Sequence, residues 1–150
     1  MEDTIADLVG KTLSNRYHVL EFLGRGGMAE VYKVWDSDRM IHMAAKVLLK
    51  SLAMDKVFLR RFQREADALA GLQHPNIVRF YGMARDESLA FMLLDFIEGT
   101  TLQEVIFNPG AGIDPNQILS IIRAICSALH YAHRQGMVHC DIKPGNIMIN

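Results

Sequence analysis

The stretch VHCDIKPGNIMIN brings three chemically capable side chains, Asp141, Lys143 and Asn146, into one short segment. An Asp carboxylate can accept a proton from a hydroxyl nucleophile, and a nearby Lys ammonium can neutralise a phosphoryl group during its transfer. An Asn amide oxygen can hold a divalent metal ion, and Pro144 and Gly145 favour a tight loop that turns the Asn back. The alternative interpretation is a polar turn between a helix and a strand, for which Pro-Gly-Asn is equally suitable.

Two further charged residues lie where hydrophobic residues would be expected. Lys46 interrupts the apolar run AAKVLL, and Glu65 lies on the apolar face of a predicted helix. That face carries four apolar residues: Phe58, Phe62, Leu69 and Leu72. A charge on a buried face is costly unless it is paired, so we expect Lys46 and Glu65 to bind each other. The open alternative is that Lys46 extends to water while Glu65 lies at the edge of the face.

A glycine-rich turn, LGRGGMAEV, connects two strand-like runs between Leu23 and Val31. Gly24 and Gly26 would let the backbone approach a ligand closely and direct its N–H groups toward anionic oxygens. A plain hairpin turn is the alternative, because glycine is the usual residue of tight turns.

The elements that must position these residues alternate between strand-like and helical patterns, which predicts the α+β class. We predict one helix in KVFLRRFQREADALAGLQ, before a break at Gly71 and HPN. Five strands are predicted, the first two forming a hairpin: YHVLEFLG, AEVYKVWD, MIHMAAKVLLK, IVRFYGMAR and LAFMLLDFIEG.

A second, longer helix is predicted in the last third of the chain. Asp114 is a suitable N-cap, Pro115 suits the first helical position, and Gln117 completes a capping box. The helix should run to about Gln135 and end at Gly136. Its apolar stripe is formed by Ile118, Ile121, Ile122, Ile125, Leu129 and Ala132.

The bulk properties restrict the class of protein. A chain of 150 residues suits one domain or two small lobes. Because 16 Lys and Arg face 17 Asp and Glu with no block of like charge, neither a nucleic-acid nor a membrane surface is indicated. No apolar run approaches the roughly 18 residues of a membrane span, and the acidic start MEDTIADLVG is no signal peptide. Cys126 and Cys140 lack metal-site spacing and favour a reduced, cytoplasmic setting, with any membrane anchor outside this segment.

Taken together, these motifs resemble the protein kinase family from Tyr17 to Asn150. GRGGMAEV is similar to the family's glycine-rich loop, MAAK to its V-A-I-K, and HCDIKPGN to its catalytic loop, in the same order. The Lys of DIKPGN resembles the Ser/Thr branch, and GRGGMAEVYK and QHPNIV are similar to bacterial kinases of the eukaryotic-like type. The implied fold is an antiparallel sheet lobe with one helix, followed by the first, mainly helical part of a second lobe.

The resemblance also implies roles for individual residues, with ATP and Mg²⁺ as ligands. Asp141 would be the catalytic base, Lys143 would stabilise the moving phosphoryl group and Asn146 would bind Mg²⁺. Lys46, held by Glu65, would contact the α- and β-phosphates. Leu94 would be the gatekeeper, the hinge at Asp95 to Ile97 would read the adenine edge, and Leu23, Val31 and Ala44 would sandwich the base. The full set of expected ATP contacts is Leu23, Gly24, Arg25, Gly26, Gly27, Met28, Ala29, Glu30, Val31, Ala44, Lys46, Leu94, Asp95 and Ile97.

Three departures from the family pattern affect these expectations. Ala29 replaces the third glycine of the loop and should stiffen it slightly. Cys140 replaces the Arg of H-R-D, which puts activation through a phosphorylated activation loop in doubt. The family's DFG motif, whose Asp holds Mg²⁺, would follow about a dozen residues after Asn146 and so lies outside these 150 residues. We therefore expect the 150-residue chain alone to be inactive or very weak.

The sequence therefore predicts a Ser/Thr protein kinase acting on protein hydroxyl groups. We expect an N-terminal extension at 1–16, the sheet lobe and hinge at 17–98, and part of the second lobe at 99–150. The main alternative is a non-catalytic, nucleotide-binding or pseudokinase-like interaction module. A third possibility is a poorly folded fragment that self-associates through the exposed stripe of the long helix.

Overall fold

The computed structural model describes residues 8–86, 89–108, 110 and 112–150. The chain divides into two compact units. The first unit runs up to Gly71 and resumes over Arg79–Phe96, and the second comprises Leu72–Val78 and Ile97–Asn150. Strands dominate the first unit and helices the second, which confirms the predicted α+β class.

The first unit is built on a six-stranded antiparallel sheet. Its strands are β1 (Thr12–Leu13), β2 (Tyr17–Arg25), β3 (Ala29–Asp36), β4 (Ile41–Leu48), β5 (Phe80–Asp86) and β6 (Leu89–Asp95). The strand order is β1-β2-β3-β4-β6-β5, so the predicted hairpin is confirmed as the β2–β3 pair. β1 lies within residues that the sequence analysis assigned to an N-terminal extension, and β5 begins three residues later than the predicted start at Ile77.

Alternating side chains on the strands divide the interior of the first unit into two clusters. The first cluster contains Leu8, Leu13, Tyr17, Val19, Tyr32, Val34, Met43, Ala45, Val47, Phe91 and Leu93. The second, called here the α1 cluster, contains Ala29, Leu48, Phe62, Ala66, Ala90 and Met92. Each side of the sheet therefore has its own apolar packing, and β4 contributes to both.

The helix of the first unit, α1 (Lys56–Ala70), follows a short 3₁₀ turn at Lys50–Leu52. Its N-cap is Asp55, whose side chain accepts a 2.7 Å hydrogen bond from the Val57 N–H group. Phe62 is fully buried in the α1 cluster, and Phe58 and Leu69 of the predicted apolar face are partly buried. Leu72, the fourth residue of that face, lies beyond the end of α1 and belongs to the second unit.

The second unit contains two helices, α2 (Leu102–Phe107) and α3 (Pro115–Arg134). α3 begins as predicted, with the Asp114 N–H group donating to Gln117 Oε1 at 3.2 Å. Gly136, with a φ of +78°, follows its end in the left-handed conformation that favours glycine. The short strands β7 (Thr100–Thr101) and β8 (Met148–Ile149) pair antiparallel, and a 3₁₀ turn covers Pro144–Asn146.

The apolar stripe of α3 remains partly exposed. Ile118 and Ile122 are 43% and 50% exposed, whereas Ala132 is buried. A groove of about 230 Å³ is lined by Leu102, Ile106, Ile113, Ile118, Ile121, Ile122 and Ile125. No helix among the described residues is both long and apolar enough to cross a membrane.

Candidate active site

The glycine-rich turn joins β2 to β3, and the Gly26 N–H group donates to the Ala29 carbonyl at 2.8 Å. None of Gly24, Gly26 and Gly27 has a positive φ angle. A Cβ atom at Gly24 or Gly27 would meet no described atom within 4 Å, and one at Gly26 would make an ordinary 3.7 Å contact. Neither the turn geometry nor packing within the protein therefore requires glycine here, which favours the ligand interpretation over the plain turn.

The remaining residues of this turn differ in how they are placed. Arg25 and Glu30 are paired across the strands and form an ion pair at 3.7 Å. Ala29 is buried in the α1 cluster, and Met28 packs against that cluster. Leu23, in contrast, is 42% exposed. The side chains at 28 and 29 are thus committed to packing, so contact of these two residues with a ligand would depend on their backbone.

Three other predicted ATP contacts, Val31, Ala44 and the expected gatekeeper Leu94, share one face of the sheet with Lys46. Val31 is paired with Lys46, and Ala44 is paired with Leu94. On β4 the odd-numbered neighbours Met43, Ala45 and Val47 all belong to the first cluster, so Ala44 and Lys46 face the opposite side. The structure therefore brings Val31, Ala44, Lys46 and Leu94 together on the α1 side of the sheet.

Lys46 and Glu65 form the ion pair that the sequence predicts. Lys46 Nζ lies 2.5 Å from Glu65 Oε1, joining β4 to α1. The two side chains are 24% and 35% exposed, so the pair is partly shielded from water and its attraction is stronger than that of a surface pair. The alternative, in which Lys46 extends to water without a partner, is wrong.

The predicted hinge crosses the division between the two units. Asp95 is the last residue of β6 and belongs to the first unit, whereas Ile97 belongs to the second. The predicted ATP contacts of the first unit, together with Glu65, are called here the sheet group.

The loop group, Asp141, Lys143 and Asn146, is brought together in the second unit. Lys143 Nζ lies 3.0 Å from Asp141 Oδ2. Asn146 Nδ2 donates to the Asp141 main-chain oxygen at 2.9 Å and to its carboxylate at 3.1 Å. The Asp141 N–H group donates to His139 Nδ1 at 3.2 Å, a contact that the sequence analysis did not predict.

This geometry keeps the Asp141 carboxylate charged. The hydrogen bond from Lys143 lowers the pKa of Asp141 below its ordinary value, and the hydrogen bond from Asn146 acts in the same direction. The Asp141 carboxylate is exposed, so a substrate hydroxyl group can reach it, as the role of proton acceptor requires.

Local backbone geometry explains why the loop folds this way. Pro144 begins the 3₁₀ turn, and the Asn146 N–H group donates to the Lys143 carbonyl at 2.9 Å. Cys140 has a φ of +62°, which is unusual for a residue with a Cβ atom and turns the chain immediately before Asp141. The loop is thus shaped by one proline and one left-handed residue rather than by packing.

The donor set of the loop group fits a magnesium ion. Among the described residues, no group of three or more His, Cys, Asp or Glu side chains could hold a metal. Mg²⁺ needs only one or two protein oxygens when phosphates and water complete its octahedron. Because Asn146 Nδ2 donates to Asp141, Asn146 Oδ1 is the oxygen that could serve.

A strand lysine paired with a helix glutamate, together with an Asp-Lys-Asn loop, defines a phosphotransferase-like set of residues. The model of the family described as protein kinase domain matches residues 17–150. The chain belongs to the protein kinase family.

Curated relatives and solved structures agree with this assignment. The chain is 41% identical over 143 residues to the serine/threonine-protein kinase PrkC of Bacillus subtilis, covering 95% of this chain and 22% of PrkC. It is 38% identical to the serine/threonine-protein kinase PknB of Mycobacterium leprae, covering 92% of this chain and 23% of PknB. The PknI kinase domain of Mycobacterium tuberculosis superposes with a TM-score of 0.74 at 33% identity, covering 93% of this chain and 56% of that domain.

The chain therefore has a kinase-like fold and spans about a fifth of the length of the curated relatives it matches.

Proposed function

We propose that this chain carries out its function as part of a serine/threonine protein kinase, which transfers the γ-phosphoryl group of ATP to a Ser or Thr hydroxyl of a protein. The observation that carries the proposal is the Lys46–Glu65 ion pair, which holds a cation on the same sheet face as Val31, Ala44 and Leu94. The kinase relatives support the same reaction, and none of those described above favours a non-catalytic module.

In this proposal the sheet group binds the nucleotide. The open space at Gly24 and Gly27 lets the backbone of the turn approach the β- and γ-phosphates. Lys46, oriented by Glu65, contacts the α- and β-phosphates, and the hinge from Asp95 to Ile97 reads the adenine edge.

The loop group handles the proton and the charge of the moving phosphoryl group. Asp141 accepts the proton of the attacking hydroxyl, and its carboxylate, held by Lys143 and Asn146, is deprotonated at neutral pH. Lys143 balances the charge that develops on the transferred group. Asn146 would hold Mg²⁺, which supplies neutralisation of the phosphate charge when it is bound.

The same proposal assigns the family's sheet lobe and hinge to 17–98 and the partial second lobe to 99–150, with the preceding Leu8 and Leu13 packed in the first cluster of the sheet lobe. We place the kinase portion in the cytoplasm because Cys126 and Cys140 are both exposed and free. The substrate is a protein, and no nucleic-acid partner is proposed.

A thermal-shift experiment on the 150-residue chain tests the binding part. ATP with Mg²⁺ should raise the melting temperature, because a ligand at a hundred times its Kd stabilises the native state by about 2.7 kcal/mol. Lys46→Met should abolish most of this shift, and the exposed Lys50→Met should preserve it as a matched control. A shift that is indifferent to Mg²⁺ would favour the non-catalytic module instead.

A kinetic experiment tests the catalytic part in a chain that continues through a DFG motif. Asp141→Asn should lower kcat at least about a hundredfold, the lower end of general-base effects, while Asp67→Asn on the exposed side of α1 should not. Phosphate transfer from γ-labelled ATP to dephosphorylated casein provides the measurement. Unchanged turnover in Asp141→Asn would remove this residue from the role of base.

A further inference from the structure

The side chain of Asp95 is fixed on the sheet face that lies opposite Lys46. Leu93 packs in the first cluster, so Asp95, two residues further along β6, points to the same side. Its carboxylate accepts a 2.7 Å hydrogen bond from the Tyr81 hydroxyl and a 3.3 Å bond from the Arg79 N–H group. Its own N–H group donates to the Arg79 carbonyl at 3.0 Å. Both the backbone and the side chain of Asp95 are thus held by the neighbouring chain.

A bulge in β5 places the Tyr81 hydroxyl. Phe80 pairs with Leu94 and Gly82 pairs with Leu93, so Tyr81 is an extra residue without a partner across the ladder. Bulges occur next to functional sites because they re-aim a side chain. Gly82 has a φ of +146°, yet a Cβ atom there would meet nothing within 4 Å. The glycine is required by the backbone conformation of the bulge and not by crowding.

The Tyr81 ring is further fixed by two arginines. The guanidinium groups of Arg39 and Arg79 lie 5.5 Å and 5.1 Å from the ring centroid. Arg39 also donates to the buried carboxylate of Asp36 at 3.0 Å, so the guanidinium group beside the Tyr81 ring is itself held at the end of β3. The hydrogen bond to Asp95, together with burial, raises the pKa of Tyr81, so the phenol stays protonated and donates at neutral pH.

We infer that Tyr81 is a positioning residue for the hinge: its hydroxyl, aimed by the bulge at Gly82, holds the Asp95 carboxylate and so fixes the strand end whose backbone reads adenine. Nothing in this arrangement uses the Asp95 carboxylate as a ligand contact, since it faces away from Lys46. The inference rests on the proposed function, because it assigns Tyr81 to the same nucleotide site.

Base selectivity separates positioning from a structural role. Adenine presents an amino donor at the position where guanine presents a carbonyl acceptor, so a backbone that reads adenine discriminates between ATP and GTP. If Tyr81 sets the register of that backbone, its loss should weaken ATP more than GTP. A residue that only stabilises the fold would leave the ratio of the two affinities unchanged.

The experiment is displacement of a fluorescent mant-ATP by unlabelled ATP or GTP with Mg²⁺, using the 150-residue chain. Tyr81→Phe should raise the Kd for ATP about three- to tenfold, the effect expected from the loss of one net hydrogen bond. The Kd for GTP should rise less, so that the two Kd values come closer together. Tyr17→Phe is the matched control, because that ring packs against Phe91 and its hydroxyl has no hydrogen bond among the described residues. Asp95→Asn keeps a carbonyl acceptor and should bind ATP better than Asp95→Ala.

The outcomes are distinguishable. Wild-type chain that binds no ATP would overturn the proposed function and the inference with it. Normal wild-type binding with an unchanged ATP to GTP ratio in Tyr81→Phe would overturn the inference alone. Circular dichroism at the assay temperature shows whether each variant is folded. If an Asp95 variant is unfolded, the Tyr81→Phe result alone decides whether the inference holds.

Discussion

The buried carboxylate of Asp36 should be among the largest polar contributions to the stability of the first unit. Asp36 is fully buried at the end of β3. It accepts bonds of 2.6 Å and 2.7 Å from Arg16, 3.0 Å from the Arg39 side chain, and two from the N–H groups of residues 38 and 39. Asp36→Ala leaves these donors without an acceptor.

The structure sets the size of the effect. Removing one partner of a buried ion pair costs about 3–5 kcal/mol when the other stays buried. In Asp36→Ala, Arg16 keeps its ion pair with Asp38, and Arg16 and Arg39 are 26% and 42% exposed and can recruit water. We therefore expect a smaller loss of about 2–3 kcal/mol in the free energy of unfolding. Asp38→Ala breaks an ion pair with the same Arg16 at 2.8 Å, but Asp38 is 65% exposed, so its loss should be below about 1 kcal/mol.

Urea unfolding followed by circular dichroism measures both variants, and its pH dependence checks the cause. Arg16 holds the pKa of Asp36 far below its ordinary value. A depressed folded-state pKa stabilises the protein above the unfolded pKa of about 4 and loses this contribution as the pH falls below it. The difference in the free energy of unfolding between wild type and Asp36→Ala should therefore become smaller in acid. Equal losses in the Asp36 and Asp38 variants, or a gap that is the same at pH 7 and pH 3, would refute the reasoning.

Two more predictions concern the second unit. Lys143→Met should raise the pKa of Asp141 toward its ordinary value, since the hydrogen bond from Lys143 is the main cause of the lowered pKa. A ¹³C NMR titration of the Asp141 carboxyl measures this change. The same pKa in wild type and variant would mean that the pair does not form in solution. Gly99→Ala should destabilise the β7–β8 pairing by about 1–3 kcal/mol, because a Cβ atom there would overlap the Ile149 carbonyl, whereas Gly71→Ala meets nothing within 4 Å and should be neutral; equal melting temperatures for the two variants would contradict this.

The features that could be predicted from the sequence are those carried by local pattern. Lys46 and Glu65 each interrupt an apolar face, and the cost of an unpaired charge there favoured their contact while leaving a water-exposed Lys46 as the open alternative. The start of α3 followed from the capping residues around Asp114. The short helix α2 was missed, although Thr101 and Glu104 form a capping box that the sequence already displays as T-x-x-E.

Other features depend on register and distance, which a single sequence does not reveal. Asp36 is the last residue of the predicted strand AEVYKVWD, and its burial depends on Arg16, which lies 20 residues earlier. The placement of Tyr81 depends on a one-residue bulge that reverses the alternation of side chains along β5. The roles of the sheet and loop groups in binding ATP remain predictions, since their chemistry rests on the family and on the proposed experiments.

The strand β1 shows that the recognisable and the physical limits of a domain can differ. The family match begins at residue 17, yet Leu8 and Leu13 are buried in the first cluster and the backbone around Gly10 and Lys11 is hydrogen-bonded to Val19. Each buried leucine contributes about 1.5–3 kcal/mol, which is a substantial share of the 5–15 kcal/mol typical of a whole domain. An expression boundary drawn at the family match would therefore cut through the core.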